Sequence, residues 1–292
     1  MKTETQSSNS MYEIHFDSPM DMLDEKPSTV QGERVWGFSR DSIGPLNWAV
    51  VRSFDEFLSK VRTGWPELVD EVDRYASKLT FDPSIAAGMT NQVKRRRVRR
   101  DSGDELDFDE WRRGNVDTAW HTTERHVVSQ RRIRAAVIDV NITALGSVTA
   151  QDMMWRTSLA TLIARTLSQA GWSVEIISSS TSVGTYGGYD DMVTAITTVA
   201  KPSTMPLSIE QLALVTSPAW FRIAGFLARC SNGKKYEPNY SLGRSVNIVA
   251  PYVKRLEERG YLTINIANTV LSKASAQQAL NEITEKIKEH AL

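Results

Sequence analysis

The chain has 292 residues, with 35 basic and 35 acidic side chains, so net charge neither favours nor excludes a polyanionic partner and only local charge can decide. A hydrophobic fraction of 41% is enough for a sizeable core, and the single cysteine, Cys230, excludes an internal disulfide and a cysteine-cluster metal site. The polar start Met1-Lys2-Thr3-Glu4-Thr5-Gln6 lacks an apolar leader segment and no run of 18 apolar residues exists, so a cytoplasmic protein with no membrane partner is expected.

Residues 1–32 mix both charges with Ser7-Ser8-Asn9-Ser10 and two prolines, which predicts a polar arm, disordered or laid over the body. Residues 33–90 read as a helical-hairpin region. It opens on two short apolar pieces, residues 34–38 and 48–51, which are strands or packed loops. Ser53-Phe54-Asp55-Glu56 is a capping box, because the Ser53 hydroxyl and the Glu56 carboxylate can satisfy each other's backbone N–H groups. Phe54, Phe57, Leu58 and Val61 then share one helical face. Gly64 supplies a left-handed stop, and Pro66 opens a second helix with a stripe of Leu68, Val69, Val72, Ala76 and Leu79.

Residues 91–130 read as a charged linker. Lys94, Arg95, Arg96, Arg97, Arg99 and Arg100 put six basic residues in seven, and Asp101, Asp104, Glu105, Asp107, Asp109 and Glu110 follow at once. One reading is a solvated loop whose two blocks neutralise each other. The other is a phosphate-binding strip. Trp111, Arg112, Arg113 and Trp120 lie close by, and interleaved rings and guanidiniums are what single-strand binding surfaces use.

Residues 131–292 read as one α/β domain. The apolar run at residues 133–140 predicts a strand buried on both faces, residues 152–170 a helix closed at Gly171, and residues 172–177 a second strand. Residues 178–188, rich in Ser, Thr and Gly, predict a flexible turn-rich segment. A third strand is expected over residues 192–199. Ser208 caps a short helix, Pro218 starts another over residues 219–230, and residues 231–244 are loop. Residues 251–259 are helical, 261–266 a strand, and 274–289 a last amphipathic helix.

Asp139-Val140-Asn141-Ile142-Thr143 ends the first strand, where open α/β sheets bind ligands. Strand, Asp-x-polar-x-hydroxyl end and long helix together resemble a von Willebrand factor A-type domain, from Arg131 onward. The resemblance implies a mostly parallel sheet flanked by helices; the helical hairpin, read from its own residues, is expected to be an N-terminal appendage to it. It also implies a divalent-cation site at Asp139, Asn141 and Thr143, with Thr181, Thr185, Asp190 or Asp191 as remote ligands. The family carries serines where this chain has Asn141 and Thr143, so one carboxylate remains and Mg2+ is expected to bind weakly or not at all. The bland alternative is a strand end capped by Asn141 and Thr143. The wider layout is similar to uncharacterised phage-encoded proteins, which implies a location in the host cytoplasm.

Enzyme signatures fail throughout: no Gly-x-Ser-x-Gly, no phosphate loop ending in Gly-Lys-Ser/Thr, no His-Glu-x-x-His. His121 and His126 are five apart, the wrong step for one helix face. The expected protein is a non-enzymatic accessory factor of transcription or replication that binds a protein partner and single-stranded nucleic acid, with no cofactor. Its alternatives are a pure protein adaptor, for example of an ATPase, and a divalent-metal-dependent enzyme.

Overall fold

The computed structural model describes residues 1–8, 11–24, 51, 54–82, 93–127, 134–145, 147–186, 189–231 and 244–291. The body is a mixed sheet flanked by helices. Its strands are β1 (Lys2–Ser8), β2 (Met11–Phe16), β6 (Ala135–Asn141), β7 (Ser173–Tyr186), β8 (Tyr189–Lys201), β9 (Arg244–Ser245) and β10 (Leu262–Ile266). A separate small sheet holds β3 (Val93–Arg100), β4 (Glu105–Leu106) and β5 (Trp120–Val127). The large sheet runs β1-β2-β8-β7-β6-β10, and the short β9 lies on β7. The pairs β10/β6, β6/β7 and β2/β8 are parallel; β1/β2 and β7/β8 are antiparallel. Parallel neighbours are therefore in the majority along that path.

Helices α2 (Phe54–Thr63), α3 (Pro66–Ala76), α5 (Ala150–Gln169) and α10 (Lys273–Ala291) join one core with one face of the sheet. Strand alternation explains the division. Ala136, Ile138 and Val140 of β6 point into that core, together with Tyr12, Ile14 and Phe16 of β2, Ile176 of β7 and Ile264 of β10. α5 is set by a capping box between Thr149 and Asp152. It ends at Gly171 (φ 81°), where the Trp172 amide reaches back to the Leu167 carbonyl at 3.0 Å. The opposite face is more polar. Val137, Ile177 and Ala195 meet Ala250, Val253 and Leu256 there, the last two from α9 (Pro251–Glu258). Two shorter helices, α1 (Pro19–Leu23) and α6 (Ile209–Val215), complete the body. So do α7 (Pro218–Trp220) and α8 (Phe226–Ser231), joined by a π-helical turn, Phe221–Gly225. No helix among the described residues is long and apolar enough to cross a membrane.

The β-α-β unit and the helical hairpin lie where the sequence puts them. Four expectations change. The polar arm contains β1 and β2, and β2 is a sheet strand: Tyr12, Ile14 and Phe16 supply an alternating apolar face that the surrounding charges mask. The turn-rich segment continues β7 as far as Tyr186, and residues 187 and 188 lie outside the described residues. Ser178, Ser179, Ser180, Thr181 and Ser182 are all buried, because neighbours on both sides supply the pairing that would otherwise favour a turn. The hairpin α2–α3 is a layer of the main core, since Phe57, Leu68 and Val72 are buried in it. The charged linker folds as the small sheet. Residues 34–38, 48–50 and 53, with the Ser53 cap, lie outside the described residues, as does the side chain of Cys230.

Candidate functional site

The small sheet has the order β3-β5-β4, so the basic strand β3 is an edge. Antiparallel register sets Arg95 against Arg125, Arg97 against Thr123 and Arg99 against His121. It sets Lys94 against His126, Arg96 against Glu124 and Arg100 against Trp120. Alternate positions of a strand share a face. One face therefore carries positions 95, 97, 99, 121 and 125, four arginines and a histidine. Position 105 joins that face, since Glu105 is in register with His121. The other face carries positions 94, 96, 100 and 124. The six basic residues of the strip are thus divided three and three. Gly103 is fixed by packing: a Cβ there would lie 2.5 Å from the His121 carbonyl oxygen.

Beside β3 sits α4 (Phe108–Arg112), and Asp107 joins the two. Its Oδ1 accepts the amides of Asp109 at 3.1 Å and Glu110 at 3.3 Å, which caps the helix. Its Oδ2 lies 3.7 Å from Arg99 Nη2 and 3.6 Å from His121 Nε2. The Glu110 amide above all, then that of Asp109, His121 and Arg99 hold the Asp107 carboxyl below its ordinary value. Glu110 is occupied as well, accepting from Asn115 Nδ2 at 2.7 Å and Arg113 Nη1 at 2.9 Å. Trp111 is exposed and its neighbour Phe108 more so, at 51% and 65%. Arg112 is exposed; Trp120 is half-buried in β5. In the sequence Phe108 stands as one apolar residue inside an acidic block, with no periodicity to mark it.

At the end of β6, Asn141 and Thr143 are buried and committed. Asn141 Nδ2 donates to Thr181 Oγ1 at 2.9 Å and to the Val246 carbonyl at 3.1 Å, while its Oδ1 accepts the Thr143 amide at 3.1 Å. Thr143 Oγ1 accepts the Thr181 amide at 2.8 Å. Arg156 of α5 is itself buried and donates to the carbonyls of Asn141 at 2.7 Å and Thr143 at 2.9 Å. Two of the three expected cation ligands therefore spend their oxygens on the chain, and a guanidinium already occupies the strand-end carbonyls. Thr181 joins this network. Thr185 lies six residues beyond Ser179, the register partner of Asn141, which is about 20 Å along the strand. Asp190 and Asp191 lie at that same far end of the β7–β8 hairpin. The residues present fit strand-end packing and do not fit a divalent-cation site.

Asp139 turns to the α9 face, the side of the sheet it shares with Val137. Its Oδ1 is buried without a hydrogen-bond partner among the described residues. Burial drives its carboxyl up to about 7; the Ser179 hydroxyl beside it works against the rise and the Glu13 charge adds to it. Nearby, Glu13 accepts the Tyr252 amide at 2.8 Å and pairs with Arg255 at 3.1 Å. Tyr252 donates to Glu175 at 2.9 Å and stacks on His15, with ring centroids 3.9 Å apart. These contacts fasten α9 to the sheet. The alternation of Glu13 and His15 with Tyr12, Ile14 and Phe16 was the one sequence signal for them.

The protein is thus an α/β protein that also carries a small basic sheet. The chain belongs to the DUF7192 family, a domain of unknown function, which matches residues 2–288 and so spans the body and the basic sheet together. No curated protein and no solved structure matches it significantly.

Proposed function

We propose that the protein is a non-enzymatic nucleic-acid-binding factor whose basic sheet contacts phosphates while the α/β body serves as scaffold and meets a protein partner. The observation that carries the reading is the register of β3 on β5, which puts positions 95, 97, 99 and 125 on one face of the small sheet. Residues with permanent charge at successive i, i+2 positions match a polyanion, and each phosphate they neutralise releases counterions. A von Willebrand factor A-like scaffold, a phage origin and a cytoplasmic location belong to the same proposal. The scaffold reading is supported by the Asp139-x-Asn141-x-Thr143 strand end and the long helix α5 after it.

A protein adaptor is the competing reading, favoured by the Arg99–Asp107 contact, in which the arginines serve only the acidic block. Binding to a labelled single-stranded oligonucleotide across a salt series separates the two. Arg95→Ala/Arg97→Ala is expected to flatten the log–log salt slope by about 1.4, at roughly 0.7 per lost phosphate contact, while Arg96→Ala, on the opposite face, leaves it unchanged. Equal affinity of wild type and the double variant at low salt leaves the adaptor.

A further inference from the structure

We propose that Phe108 and Trp111 form a two-ring platform that stacks unpaired bases, so that the basic sheet prefers single-stranded nucleic acid to duplex. This rests on the nucleic-acid reading above. None of the residues of α4 is buried, so its two rings do not serve a core. Helical geometry sorts its five positions. At about 100° per residue, Phe108, Trp111 and Arg112 fall within an arc of about 100°, while Asp109 and Glu110 lie round the other side. One exposed face of the helix is therefore two aromatic rings and a guanidinium. Arg112 has no ion-pair partner among the described residues, whereas Glu110 is held by Arg113 and Asn115.

Placement gives the platform its ligand. Asp107 caps α4 and at the same time lies against Arg99 and His121, which puts the rings next to the arginine-bearing face of the small sheet. A single strand laid along β3 offers phosphates to the arginines and free base faces to the rings. A duplex offers only phosphates, because its bases already stack on one another. The chemistry is shared by DNA and RNA, since every base has a π-face.

The test uses the full chain and fluorescence anisotropy with oligo(dT), oligo(U) and a duplex of equal length, each across a salt series. The double variant Phe108→Ala/Trp111→Ala is expected to lose roughly tenfold or more in single-strand affinity, with an unchanged salt slope. Duplex affinity stays the same, and Trp111→Phe retains most of the single-strand affinity. Comparable binding of oligo(dT) and oligo(U) supports base stacking without sugar readout; binding of one alone overturns that. Single-strand affinity equal to wild type in the double variant overturns the platform and leaves the phosphate-binding sheet standing. An equal loss on duplex also overturns it, because the variant has then damaged the sheet itself. A wild-type protein that binds none of the three probes removes both proposals.

Discussion

Arg99 and Asp107 face each other across 3.7 Å where the basic strand meets the start of α4. One carboxylate thus does two things. It caps the helix that displays Phe108 and Trp111, and it offsets part of the charge beside it. Both partners are exposed enough that the ion pair itself adds little stability. Its effect is on charge and on placement, and those two effects can be separated.

Asp107→Asn keeps a side-chain oxygen for the cap while removing the charge, since asparagine is as good an N-cap as aspartate. Single-strand affinity at low salt is expected to rise and the salt slope to steepen. Asp107→Ala removes both, so the gain in charge is accompanied by loss of the salt-insensitive part. Anisotropy titrations at two or more salt concentrations read both. Identical behaviour of the two variants would show that the cap does not matter to binding.

The helical hairpin is tested through Phe57. Its ring is fully buried and lies 5.9 Å from the ring of Trp220, the last residue of α7. Phe57→Ala is expected to cost about 3–5 kcal/mol in the unfolding free energy of the whole body, because the cavity opens inside its main core. Urea denaturation followed by far-ultraviolet circular dichroism measures it. A loss confined to a separate early transition would make the hairpin an appendage after all.

These cases show where a sequence speaks. The strand at Ala135–Asn141 and the helix after it were legible because each satisfies its own pattern: a run of apolar residues, then a capped amphipathic stretch ended by Gly171. β7 was not, because Ser178–Ser180 and Thr181 are the residue types of a turn, and only pairing with β6 and β8 makes them a strand. The basic strip was visible as charge, while its division between two faces depends on a register that no local signal fixes. Asp139 was legible as a special residue, but its environment was not. Glu13 and α9, which close over it, are more than a hundred residues away in either direction.

Magnesium is expected to leave the melting temperature unchanged at concentrations well above the physiological range. A ligand that binds the native state must raise stability, so calorimetry with and without the ion is a direct test. The reason for the expectation is the commitment of Asn141 and Thr143 to Thr181, Val246 and each other, with Arg156 against the same strand end. A rise that disappears in Asp139→Ala would restore the cation site.

Asp139 itself should make the body less stable as pH rises. Its carboxyl titrates at about 7 in the folded protein, because burial penalises the charged form, whereas an unfolded aspartate titrates near 4. Between those two values the folded chain holds a proton that the unfolded chain has released, so added base favours unfolding. The stabilisation is present in full below about pH 4, declines as pH rises toward 7 and is gone once pH passes 7; its size is on the order of a few kcal/mol. Asp139→Asn keeps the shape and cannot ionise. The variant is therefore expected to match or fall slightly below wild type at pH 5 and to exceed it at pH 8. Other titrating groups on this face act in both directions: burial raises Glu175 and lowers His15. They are common to both proteins and cancel in the difference between their melting curves at each pH. Melting curves of the two proteins that move in parallel from pH 5 to pH 8 would mean that Asp139 is not the buried proton site.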